Sequence, residues 1–334
     1  MAVSFADLHG RLVELHLHVD GSISVPAARR LAELGGEPLN LTDAEVFDRL
    51  SVGEECEDLG EYLDKFVFPL SLVQTREQVE ESVFLLQEDL RRQGCVYAEL
   101  RFAPQSQCER GLTQREVVEA SLKGLRRSDL DARLILCCMR GPDNLAANLE
   151  TVELAAEYLG DEVVAVDLAG AEALFPTRDF APVFARAREL GVPFTIHAGE
   201  ADGPQSVRDA LAMGASRIGH GVRSVEDPEL VRELADRQVP LEVCFTSEVQ
   251  TGALKSYRHA ESLRQLLDAG CLVTLNSDNC SVSNTWLARE FVIVSEALGL
   301  TAAEVDQLLL NAVEASFASE RTKARLREVV AGRA

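Results

Sequence analysis

Residues 12–21 read LVELHLHVDG. A strand alternates its faces with period two, so His16, His18 and Asp20 project from one face while Leu15, Leu17 and Val19 take the other. Polar residues in a row on one side of an apolar strand either fill a polar seam in a core or hold something. Seven comparable runs follow: CVYAELRF (95–102), RLILCCM (133–139), VVAVDL (163–168), PFTIHA (193–198), SRIGHG (216–221), PLEVCF (240–245) and LVTLNS (272–277). From the second onward they recur every 23 to 38 residues. Amphipathic helical text fills the gaps, as in TREQVEESVFLLQEDLRRQG, DFAPVFARARELG and AESLRQLLDAG. Near-continuous apolar strands alternating with helices imply a parallel sheet covered on both faces. Eight such units predict an α/β fold of the (β/α)8, TIM-barrel type, although a doubly wound open sheet is written in much the same way.

The first connection, 19–94, is too long for a single crossover. It contains VPAARRLAEL, DAEVFDRLSV and LGEYLDKFVFPLSLV, and we read it as a helical lid inserted over the barrel mouth, within one domain spanning 1–334. The tail TAAEVDQLLLNAVEASFASERTKARLREVVAG reads as two C-terminal helices packed on the outside.

With 33 basic and 55 acidic residues the formal charge is -22. That excludes the basic footprint of a nucleic-acid binder and argues equally against an anionic membrane surface. No apolar run approaches the roughly 18 residues of a membrane span. Eight cysteines occur without a C-x-x-C pair, mostly in apolar runs, and the vicinal Cys137-Cys138 reads as core packing before it reads as a redox pair. The opening MAVSFADLHG lacks a charged-then-apolar leader, so a reducing cytoplasm is the expected location. Phosphate-binding glycine loops and a G-x-S-x-G elbow are both missing.

In a barrel the active site forms at the C-terminal strand ends. Four of the six histidines fall there: His16, His18, His197 and His220, whereas His9 and His259 do not. Strand four runs into Asp167-Leu168-Ala169-Gly170, strand five ends in His197-Ala198-Gly199-Glu200, and strand eight ends in Asn276-Ser277-Asp278-Asn279. Three imidazoles and a carboxylate suit zinc or a similar divalent ion. Such an ion lowers the pKa of bound water from ~15.7 to ~7, and a nearby glutamate and a fourth histidine then handle protons. Each residue alone has a plainer reading. An HxH pair can be a satisfied core, Glu200 a helix N-terminal charge, His220 a turn residue, Asp278 an N-cap and Gly170 a turn. Their joint placement at strand ends favours a metal site. Arg101 and Arg140 stand just past strands two and three, where we expect them to pair with carboxylates in the barrel mouth.

VELHLHVDGS, VYAELRFAPQ, VDLAGAE, FTIHAGE, RIGHGV, LEVCFTSEVQTGA and VTLNSDN, which span 13–279 in this order, resemble the adenosine deaminases of the amidohydrolase superfamily. The resemblance implies a barrel enzyme with one zinc held by His16, His18, His197 and Asp278. It implies Glu200 as proton donor to purine N1, and His220, with Asp278, acting on the attacking water. Asp20 would bind the ribose 5′-hydroxyl with His18 beside it, and Gly170 would donate to ring N3. The implied reaction is hydrolytic deamination of adenosine and 2′-deoxyadenosine to inosine products and ammonia by zinc-activated water. The implied partner is a small-molecule purine nucleoside. Alternatives within the family are an aminofutalosine-type nucleoside or free adenine, and a carboxylate at Asp20 disfavours a 5′-phosphate. Outside it stand another metal-dependent hydrolase, disfavoured because strand four ends without a metal-bridging lysine, and a catalytically silent nucleoside-binding protein. The chain departs from the family text at three places. Asn279 replaces a second aspartate, and its amide donates to ring N7 without needing a proton. Phe245 and Glu248 interrupt a CPTSN-like run, and Glu248 is expected to add a carboxylate near the mouth.

Overall fold

In a computed structural model that describes residues 3–53, 56, 58–160, 162–254 and 260–332, the eight runs form eight strands. They are β1 (Leu12–His18), β2 (Cys95–Phe102), β3 (Ala132–Met139), β4 (Val163–Ala169), β5 (Thr195–Ala198), β6 (Arg217–His220), β7 (Leu241–Val243) and β8 (Val273–Leu275). Parallel ladders join β1 to β4 in order and β5 to β8 in order. Single parallel bridges join the two sheets, Val166 with Phe194 at one seam and Leu17 with Asp278 at the other. The second seam is sewn by His18 N–H to Asp278 O and Asp278 N–H to His16 O, both 2.8 Å. The strands therefore make one ring of eight whose two seams are thinner than its ladders.

Two strands keep only half of the run that the sequence predicts. PLEVCF stops at Val243 because Phe245–Gln250 turns helical. LVTLNS keeps only Val273–Leu275, since the chain beyond leans across to β1. The outer helices start where the caps say they should. Thr75 with Gln78, Thr113 with Glu116 and Thr301 with Glu304 form capping boxes. Ala302–Ala315 packs over the β8–β1 seam, and Glu320–Val330 packs on it in turn.

The long first connection holds helices Val25–Leu34, Asp43–Leu50, Leu59–Asp64, Val67–Ser71 and Arg76–Arg92. The last lies along Gln114–Leu125 and β2, in the outer layer. Leu59, Tyr62, Leu63 and Phe66, from the middle of the insert, border the cavity at the barrel mouth.

Below that mouth the barrel interior is ionic. Arg217 pairs with Glu99 (2.6 Å) and Glu242 (2.5 Å), and Arg101 pairs with Glu242 and Asp167 (2.8 Å each). All five side chains are buried. Buried ion pairs repay their desolvation only when further hydrogen bonds satisfy the remaining lone pairs. Thr195 Oγ1 donates to Glu242, and Tyr97 O–H and Phe317 N–H donate to Glu99. Arg101 thus pairs with carboxylates as expected, but from inside β2 rather than past its end. Arg140 differs from expectation. It donates to Phe175 O, His197 O and Thr177 Oγ1, because the loops over β4 and β5 bring carbonyl oxygens to it.

Candidate active site

Period two along β1 turns His16 and His18 into the barrel, where β5 delivers His197 and the segment after β8 delivers Asp278. The Nε2 atom of His197 lies 3.0 Å from that of His16 and 3.1 Å from that of His18. Asp278 Oδ1 stands 3.5 and 3.4 Å from the same nitrogens of His16 and His18. The opposite nitrogens of His16 and His197 are taken. His16 Nδ1 meets Glu242 at 2.7 Å and His197 Nδ1 meets Asp167 at 2.9 Å. A carboxylate at Nδ1 fixes the hydrogen there and leaves the Nε2 lone pair free. Burial holds His18 well below the ordinary imidazole range, and it lowers His197 despite Asp167. Burial alone would raise Asp278, but His16, His18 and His220 hold its carboxyl well below the usual range. Lone pairs facing one another about an ionised carboxylate are an unfavourable arrangement that a divalent cation relieves, so this donor set fits zinc. Cys244 lies in an overlapping cluster with His16, His220 and Asp278. Burial pushes its thiol up.

Glu200 and His220 flank this cluster, with Glu200 Oε2 3.7 Å from His220 Nε2. Both are buried. Burial raises the Glu200 carboxyl above its ordinary value, as a proton donor requires. Burial would lower His220, but Glu200, Glu248 and Asp278 outweigh it and push the imidazole up to about 10. His220 and Asp278 both have left-handed backbone, at φ 62° and 59°. Non-glycine residues rarely adopt it, and such strain concentrates at functional sites. At Gly219 just before, a Cβ would lie 3.1 Å from both His16 Cε1 and His197 Cα, so a side chain there would press on two of these histidines.

The loop carrying Glu200 hangs on one residue the sequence reading did not single out. Glu172 accepts backbone N–H bonds from Gly199 (2.7 Å), Glu200 (3.0 Å), Ala201 (2.7 Å) and Asp202 (3.0 Å), and the Ser206 hydroxyl as well. Asp167 and Glu242, which orient the ligand histidines, were likewise given no role. The available signal was a charged residue inside or just after an otherwise apolar strand.

The mouth holds a cavity of about 300 Å³. Asp20, Gly170 and Asn279 lie on its wall together with His18, His197, Glu200, His220 and Asp278. Burial lifts Asp20 to about 6. Gly170 has φ 105°, a conformation that suits glycine and presents backbone beside Arg140. The Asn279 amide oxygen packs so close to Gly21 that a Cβ there would overlap it at 1.7 Å, and among the described residues that oxygen has no hydrogen-bond partner. Glu248 is not on the cavity wall, contrary to expectation, because the first turn of Phe245–Gln250 folds it back to Cys244 N–H. His9 precedes β1, at the far end of that strand, and His259 falls outside the described residues.

A (β/α)8 barrel with three histidines and an aspartate converging at its strand ends defines the class, the hydrolases of the amidohydrolase superfamily. The adenosine deaminase family model matches residues 12–333. An adenosine deaminase of Haemophilus ducreyi is 44% identical over 94% of this chain and 94% of its own length. One from Clostridium botulinum is 38% identical over 95% and 96% respectively. Among solved structures, an adenine deaminase from Arthrobacter aurescens superposes with a TM-score of 0.87 at 28% identity, covering 97% of this chain and 98% of its own. The chain belongs to the adenosine deaminase family.

Proposed function

We propose that this protein deaminates adenosine and 2′-deoxyadenosine hydrolytically, releasing ammonia and the corresponding inosine nucleoside. The observation that carries this reading is the placement of Glu200 and His220 beside a histidine–aspartate cluster on the wall of a nucleoside-sized cavity. The 44% and 38% identical relatives named adenosine deaminase support the substrate.

His16, His18, His197 and Asp278 hold one divalent cation, zinc by the chemistry of the donor set. That cation, when bound, supplies the Lewis acidity that makes water a nucleophile near neutral pH. Glu200 gives its proton to purine N1 as C6 is attacked, a role typically worth ~10²–10⁴-fold. His220 orients the attacking water and faces the charge that develops on it, and Asp278 accepts the proton the water loses. Asp20 accepts a hydrogen bond from the ribose 5′-hydroxyl with His18 beside it. The Gly170 N–H donates to N3 and the Asn279 amide to N7. Within the 19–94 insert, the part that borders the cavity serves as the lid and excludes water, which strengthens each polar contact. The eight cysteines are free thiols, which fits a reducing cytoplasm, and among the described residues no helix is long and apolar enough to cross a membrane.

The test is ammonia release and loss of the adenosine ultraviolet band, followed with and without a chelator. The panel is adenosine, 2′-deoxyadenosine, adenine and an aminofutalosine analogue. Adenosine bound but not turned over would sink the reading. Adenine turned over faster than adenosine would remove the ribose contact assigned to Asp20.

A further inference from the structure

The imidazole of His220 stands between two carboxylates. Its Nε2 faces Glu200 in the cavity at 3.7 Å, and its Nδ1 faces Glu248 Oε1, behind the cavity wall, at 3.5 Å. Glu248 is completely buried. Two bonds pin it to the end of β7: Cys244 N–H donates to its Oε1 at 2.9 Å, and its own N–H donates to Cys244 O at 2.9 Å. Among the described residues His220 Nδ1 and Glu248 Oε2 have no hydrogen-bond partner. Among the described residues His220 is the one basic side chain within ion-pair reach of Glu248. A buried nitrogen left unpaired is costly, and the Glu248 carboxylate stands just outside hydrogen-bond distance of His220 Nδ1. A movement of about half an ångström makes a normal bond of 2.7–3.2 Å.

We infer that Glu248 is a positioning residue for the reaction: it accepts the Nδ1 hydrogen of His220 and so fixes the ring in the orientation that turns Nε2 to the cavity. The inference rests on the proposed reading of His220 as the residue that orients the attacking water. An amide oxygen in this place, as a CPTSN-like text would supply, accepts the same hydrogen as a neutral group. A carboxylate accepts it about twice as strongly. The departure at Glu248 therefore bears on how firmly one catalytic ring is held, and leaves the shape of the substrate cavity untouched.

The experiment compares Glu248→Gln, which keeps a neutral acceptor of the same reach, with Glu248→Met, which keeps the volume and loses the acceptor. Glu248→Met is expected to lower kcat about 10- to 100-fold, as misplacement of a catalytic group does, with KM for adenosine and metal content unchanged. Glu248→Gln falls between Met and wild type. In a His220→Gln background Glu248→Met adds no further loss, because a residue that acts through another is non-additive with it. Nitrogen-15 NMR of histidine-labelled protein reads the same point without turnover, showing the His220 Nδ1–H strongly hydrogen-bonded in the wild type, more weakly in Glu248→Gln and not in Glu248→Met. A wild-type kcat in Glu248→Met, multiplicative losses in the double variant, or unchanged ring shifts would each overturn the inference. Where the Met variant does not fold, the Gln variant and its ring shifts decide. Full activity in His220→Gln, or no wild-type turnover of adenosine, breaks the underlying functional reading instead.

Discussion

Glu172 and Glu248 are both buried carboxylates standing one step behind a side chain that faces the cavity, yet they are held in opposite ways. Glu172 is saturated, with four backbone N–H groups and a hydroxyl converging on it. Burial works to raise its carboxyl, but Arg140, Ser206 and those amides hold it below the ordinary value. Glu248 has one backbone donor and an orphan oxygen. A carboxylate that gathers five donors organises a loop, and its loss spreads through the backbone. One that gathers a single donor and faces one ring leaves the fold largely indifferent and acts on that ring alone.

Three substitutions break or sharpen this contrast. Glu172→Gln offers one acceptor atom where two served, leaving buried N–H groups unpaired. It is expected to cost about 4 kcal/mol in urea denaturation, since each buried unsatisfied group costs roughly 1–3 kcal/mol, and to depress kcat through displacement of Glu200. A loss below about 1 kcal/mol would mean that the loop holds itself.

Glu290 comes next. Burial lifts its carboxyl to about 7 despite bonds from Thr246 N–H and from the hydroxyls of Thr246 and Thr285, and the charge of Glu248 adds to the rise. A carboxyl whose folded pKa exceeds its unfolded one contributes stability that is present below about 4.5 and is lost as pH climbs through about 7. Glu290→Gln removes that titration, while the threonine hydroxyls switch to accepting from the new amide. Between pH 4.5 and pH 8 the variant is expected to gain about 3 kcal/mol relative to the wild type. Parallel stability curves for the two proteins across that range would contradict it.

Glu248→Gln should produce the smallest change in stability, under about 1 kcal/mol, because the amide oxygen still takes the Cys244 N–H. A larger loss in thermal melts would place Glu248 with Glu172 as a structural anchor.

The parts of the site that were legible in the sequence are those with a local signature. The alternation in HLHVD, the glycine-flanked histidine of RIGHG and the HAGE and SDN ends needed only their neighbours to be read, because a barrel gathers its strand ends into one circle. The supporting carboxylates have no such signature. Glu242 reaches His16 across 226 residues, Asp167 reaches His197 across 30 and Glu172 reaches Gly199 across 27. A single acidic residue in LEV or VDL says nothing about which of those partners it meets. The limit of β7 failed where local bonds overrode propensity. The apolar run VCF looked extended, and the Glu248–Cys244 pair of bonds turns the chain helical just after Val243. Arg101 was placed at a strand edge because its interior partners, Asp167 and Glu242, come from strands far along the chain.

The seam between β1 and the end of β8 bears on how the protein comes into being. Asp278 is hydrogen-bonded through its backbone to His16 and His18 while its carboxylate faces the same two rings. During synthesis the first strand emerges early, and its histidines then wait through some 260 residues for the aspartate that completes the set. A chain released short of residue 278 carries three imidazoles on an unclosed trough. Retention of a cation by this set would therefore mark a chain made past residue 278 and closed into its ring, independent of whether any nucleoside is present.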